Sequence, residues 1–236
     1  MKVVSLASVR GAPGVTTTAI LLASTFTDGL VIEADLDGGV LAVRYGLGRE
    51  PGLTTFAAGV PDADGGWRAH AQDAGGVPVL VGPDAPSASA AMWRTAGERI
   101  THKLVAADGV AVVDAGRLRL PVPIVAASDL LAVLVNPVAD QLVALTHLVP
   151  TLRQAVRGRV AVVLVGDGPY GVGDVEQSVG VTVIGRLPND PDAADALRVG
   201  GSRSRLARSQ LARAVGALGG ELSSVLLEPT NAVATS

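Results

Sequence analysis

The sequence predicts a doubly wound α/β fold: a mainly parallel sheet with helices on both faces. Three observations lead there. Short valine-rich runs are continuous rather than alternating, as suits strands buried on both faces. Longer helical patterns separate those runs, the rhythm of βα units. The 236 residues are 48% hydrophobic, enough to bury one sizeable core. Residues 1–227 therefore read as a single domain, and 228–236 as a frayed polar tail.

The elements follow in order. A strand over 3–7 runs into the stretch "SVRGAPGVTTTA", and a helix opens at Thr16 and continues to about residue 26. A second strand covers 30–34 and ends in "EADLDGG". Further strands are expected at 77–81, 110–113, 130–135, 160–165 and 181–184. Helices are expected at 88–106, 140–156, 191–198 and 204–218. Pro191 fits a first helical turn. Gly219-Gly220 reads as the stop of the last helix. Residues 62–66 and 82–86 are turn-rich loops rather than linkers.

Two features carry chemistry. Between the first strand and helix lies a glycine-containing turn whose backbone N–H groups can form an anion nest at a helix N-terminus. Thr16 would offer its hydroxyl to Mg²⁺, and Thr17 a second oxygen to phosphate. Asp35 and Asp37 sit at the carboxyl end of the second strand, and Asp114 follows the strand at 110–113. Ligands of open α/β sheets bind at that rim. Hard carboxylate oxygens there suit Mg²⁺ and an oriented water. Each aspartate taken singly is equally well explained as a helix cap or turn residue.

The order of these motifs resembles the ParA/MinD family of P-loop ATPases, over about residues 2–218. The family's deviant phosphate loop, K-G-G-x-G-K-T-T, reads here Arg10-Gly11-Ala12-Pro13-Gly14-Val15-Thr16-Thr17. Its D-x-D matches Asp35-Leu36-Asp37, and its second metal-side aspartate matches Asp114. "VTVIGRLPNDPDAADAL" is similar to the segment whose proline turn, here Pro188, lies beside the adenine. The resemblance implies ATP or ADP with Mg²⁺ as cofactor. Residues 10–17 and Pro188 would cradle the nucleotide. Thr16, Asp37 and Asp114 would hold the metal, and Asp35 would position water. It also implies a homodimer formed through the phosphate-loop face, a protein partner or cargo, and a bacterial cytoplasmic setting.

Two departures bear on activity. Val15 replaces the lysine that contacts the β- and γ-phosphates, while Arg10 keeps a charge at the signature position. The loop Gly166-Asp167-Gly168-Pro169 lacks the asparagine the family often uses for adenine. The resulting expectation is a positioning or scaffolding protein with a degenerate ATP site, a pseudo-ATPase serving a pilus, secretion or division apparatus. The alternatives are an active Mg-dependent ATPase that partitions DNA or protein cargo, and an ATP-independent adaptor with no cofactor.

Composition narrows the field. The formal net charge of -3 and 3% aromatics argue against nucleic acid as a main partner. The absence of cysteine excludes disulfides, thiolate metal sites and a cysteine nucleophile. No apolar run approaches 18 residues, and the first residues lead straight into a strand, so a membrane is not expected. The stripe Ala207, Leu211, Ala214, Val215 and Leu218 is best explained as a helix face packed on its own sheet. His70, His102 and His147 show no metal-like spacing. Trp67 and Trp93 are expected at the core edge or an interface.

Overall fold

The computed structural model describes residues 1–10, 14–59, 66–198 and 208–227. Eight strands form one sheet in the order β3-β4-β2-β5-β1-β6-β7-β8. They are β1 (Lys2–Ser8), β2 (Gly29–Glu33), β3 (Gln72–Asp73), β4 (Pro78–Leu80), β5 (Val110–Arg117), β6 (Leu130–Val135), β7 (Arg159–Val165) and β8 (Val183–Leu187). All pairings are parallel except that of the short edge strand β3 with β4.

The continuous apolar runs become strands covered on both sides. Successive residues divide between two apolar clusters, because side chains alternate across a sheet. Val3, Leu30, Ala111, Leu131 and Val162 belong to one cluster. Their neighbours Val4, Val31, Val112, Leu130 and Val163 belong to the other. Helices α4 (Pro86–Val105), α6 (Ala139–Ala155) and α7 (Val172–Val179) supply Trp93, Ile100, Leu104, Leu142, Leu145, Val175 and Val179 to the first cluster. Helices α1 (Val15–Ala23) and α9 (Gln210–Leu227) supply Ala19, Ile20, Leu22, Leu211, Val215 and Leu218 to the second. Trp67 and Trp93 are both buried.

Three differences from the sequence-based expectation have physical causes. Strand β5 continues through Arg117, so Asp114 lies inside a strand, opposite Leu6 of β1 and Glu33 of β2. Strand β8 is displaced from 181–184 to Val183–Leu187, because this edge strand is only half-buried and lacks a continuous apolar run. Helix α9 does not stop at Gly219-Gly220 but runs to Leu227. At Gly219 a Cβ would stand 2.2 Å from Oγ1 of Thr25, so the glycine there permits close approach to the chain leaving α1. The stripe on α9 packs against α1 and β8. The remaining expected start of that helix and the tail at 228–236 lie outside the described residues.

Short elements escape a periodicity reading: α2 (Leu41–Tyr45), α3 (Leu53–Ala58), a 3-10 turn at Gly66–His70, and α5 (Pro123–Ala126). The eight-residue α7 escaped it too. Helix α8 (Pro191–Arg198) begins at its proline as expected. No helix among the described residues is long and apolar enough to cross a membrane.

Candidate functional site

A cavity of about 340 Å³ opens at the carboxyl ends of the central strands. That volume falls within the range of small-molecule sites. Gly14, Val15, Thr16 and Thr17 line it from the start of α1, and Asp35 and Asp37 from the end of β2. Gly14 takes a left-handed conformation, φ 81°, and helix α1 begins there with no side-chain cap and no acid in its first turn. The helix start thus has no side-chain cap and no carboxylate of its own first turn, the arrangement that favours an anion at a helix N-terminus. Gly11, Ala12 and Pro13 lie outside the described residues. Arg10 is exposed and is not part of the wall.

Behind Thr16 stands Asp114, 1% exposed. Burial pushes its carboxyl up to about 6, while the hydroxyl of Thr16 and the Gly116 N–H, at 3.1 Å, favour the ionised form. Glu33 and Asp35 add repulsion, so three carboxyl groups share one region. Asp35 is itself raised, first by burial. It accepts the Asp37 N–H at 2.8 Å, so it also performs the turn role open to it from sequence. Its carboxylate lies against Gly116 so closely that a Cβ there would stand 1.9 Å from Oδ2. Gly116 has φ 55°. Asp37 is more exposed and pairs with Arg119 at 2.8 Å.

Val15, which the sequence resemblance aligns with a loop lysine, turns inward. It is 5% exposed and belongs to the apolar cluster under α1 while still touching the cavity wall. Pro188 follows β8 directly and is not part of the cavity wall.

Several wall residues were not singled out from sequence. Arg44 of α2, Arg117 at the end of β5, and Ala194 and Asp195 of α8 all line the cavity. Glu33 is the other omission. It is 2% exposed, and its carboxylate accepts N–H groups from Val40 at 2.5 Å, Leu41 at 2.7 Å and Gly82 at 2.9 Å. Burial raises its pKa, and the three backbone donors oppose that shift. A carboxylate closing an apolar strand just before Gly38-Gly39 was the available signal. A Cβ at Gly39 would stand 2.4 Å from Oε2 of Glu33.

Solved structures match along nearly the whole chain. A ParA family ATPase from Chlorobium tepidum TLS gives a TM-score of 0.76 at 18% identity, covering 94% of this chain and 98% of that one. The septum site-determining protein MinD from Pyrococcus horikoshii OT3, complexed with Mg-ADP, gives 0.75 at 16% identity, covering 95% and 96%. The fold is that of the MinD and ParA ATPases. A chain of the MinC:MinD cell division protein complex of Aquifex aeolicus gives 0.71 at 18% identity, covering 95% and 96%. No protein-family model matches the sequence, and no curated protein matches it.

The oxygen donors at this rim fit a hard divalent ion bound together with phosphate. Mg²⁺ typically takes one or two carboxylates and completes its shell with water and phosphate oxygens. No group of three or more His, Cys, Asp or Glu side chains among the described residues is arranged to hold a metal unaided.

Proposed function

We propose that this chain is a MinD/ParA-like positioning or scaffolding protein that binds Mg-nucleotide weakly and hydrolyses it slowly or not at all. One observation carries the reading: the Thr16 hydroxyl meets a buried Asp114 beside an uncapped helix N-terminus, at the wall of a nucleotide-sized cavity. Thr16, Asp114 and Asp37 would hold Mg²⁺, and α1's first turn the phosphates. When bound, the ion would neutralise phosphate charge and draw the three raised carboxyl groups toward their ionised forms. Asp35 would orient a water.

Val15 weakens this site without abolishing it. A charge-assisted hydrogen bond contributes about 1.5–3 kcal/mol, so its loss costs roughly 10- to 100-fold in affinity. A site of micromolar ancestry would still fill at millimolar ATP. Hydrolysis suffers more, since cations at a transferring phosphate can contribute about 10³–10⁵ in rate. The setting we infer is the bacterial cytoplasm. The chain would dimerise through the loop face, and a protein partner or cargo there would complete its role.

The test is titration with a fluorescent ATP analogue in Mg²⁺. The native chain should saturate in the tens to hundreds of micromolar, and Thr16→Ala should weaken it further. Flat curves for both would refute nucleotide binding and favour the ATP-independent adaptor, whose dimer would ignore Mg-ATP in size-exclusion runs. The retained Asp35, Asp37 and Asp114 favour a second reading, a working partitioning ATPase. Steady-state phosphate release abolished by Asp114→Ala would establish it.

A further inference from the structure

The cavity wall is not without positive charge, although its loop has lost the lysine. Arg44 and Arg117 both line it. Neither makes an ion pair among the described residues, whereas Arg49, Arg68, Arg119, Arg157 and Arg186 all do, and Arg117 acts on Asp35 only through its charge, opposing the rise in that carboxyl's pKa. Arg119, two residues beyond Arg117, is committed to Asp37. The two cavity arginines come from different elements, the last turn of α2 and the last position of β5.

Their placement is held in both cases. Helix α2 is only five residues long and too short to persist alone. Its start is fixed by the buried Glu33, which receives the N–H groups of Val40 and Leu41 on one oxygen and that of Gly82 on the other. Its end is closed by Gly46 in the left-handed conformation, φ 62°. Arg44 therefore stands on a turn tied to the ends of β2 and β4. Arg117 is set by the pairing of β5 with β1, where it lies opposite Ser8.

We propose that Arg44 and Arg117 are the cations that receive the phosphate chain of the bound nucleotide, supplying from the cavity walls the charge that position 15 no longer provides. This rests on the cavity being the nucleotide site. A guanidinium presents a planar fork that matches two phosphate oxygens, so arginines on the walls restore part of the attraction a loop lysine would give, with a different geometry. The role is one of binding the phosphates. The base and sugar are left to other parts of the cavity.

The experiment uses the full chain and an N-methylanthraniloyl derivative of ATP in Mg²⁺. Native protein, Arg44→Ala, Arg117→Ala, the double variant and Thr16→Ala are titrated. Inorganic triphosphate and adenosine serve as separate competitors. Each arginine variant should lose about tenfold or more in affinity for the analogue and for triphosphate, with a larger loss in the double variant. Adenosine competition should be unchanged. Arg44→Lys should recover part of the loss, and Val15→Lys placed in the double variant should recover most of it. Thermal unfolding midpoints within a degree or two of native would show that the exposed and half-buried arginines are not holding the fold. If the native chain and Thr16→Ala differ while the arginine variants match native, the nucleotide site stands and the arginine assignment falls. A parallel loss of adenosine and triphosphate affinity would also overturn it, as a general collapse of the cavity. If the native chain binds nothing, both readings fall together.

Discussion

The two halves of the sheet's carboxyl rim differ in charge. On the β2–β5 side, acidic groups are buried or half-buried at a cost: Glu33, Asp35 and Asp114 are all raised by desolvation. On the α1 side, the first helical residue is Val15, uncharged and folded into the apolar cluster. A chain under no demand to meet a cation would be expected to shed buried carboxylates, since each is costly without a partner. Under the proposed reading the acid side meets a metal ion, while the loop side offers backbone N–H groups and no side-chain charge at position 15.

Three perturbations break or sharpen that contrast, beginning with the largest. A raised carboxyl pKa means that the folded chain keeps protons the unfolded chain releases. The resulting stabilisation is complete below the ordinary Asp value of 3.8 and is lost as pH rises through about 6. From Asp114 alone the difference is about 3 kcal/mol, and Asp35 and Glu33 act in the same direction. Denaturant melts of the metal-free protein should show stability increasing from pH 7 toward pH 5. Asp114→Asn should flatten most of that slope, and an unchanged slope would place the cost elsewhere.

Next comes Glu33→Gln, which keeps the shape but turns an amide NH₂ toward a backbone donor. A buried mismatch of this kind costs about 1–3 kcal/mol. Urea unfolding should register it, with increased proteolysis near α2 as a local signature. The smallest effect belongs to Arg119→Ala. Its ion pair with Asp37 is roughly half-exposed on both sides, and such pairs contribute about 0–1 kcal/mol. The melting midpoint should hardly move. A drop of several degrees would mean that Asp37 is anchored more firmly than its exposure allows.

Much of this arrangement was legible from residue order. The long apolar strands announce themselves because both faces are covered, and the phosphate-type turn is recognisable from Gly14 and its threonines. Asp114 is legible as a strand-end acid, though the strand containing it runs on to Arg117. What escaped depends on distance in space. Glu33 reads as the end of a strand until Val40, Leu41 and Gly82 are seen converging on it. Arg44 sits on a five-residue helix with no periodicity to detect. Gly219 reads as a helix stop, and only the proximity of Thr25 reveals why a glycine is used within a continuing helix. For Val15, the sequence shows an uncharged residue, but only the packed structure shows the side chain committed to the core.

The most direct test of the central claim is calorimetric titration of Mg-ATP into the native chain and into Val15→Lys. The account predicts a saturable heat in both, with the lysine variant binding about 10- to 100-fold more tightly because the rest of the cradle is intact. Absence of heat from both at millimolar Mg-ATP, or equal affinities in the two, would contradict it.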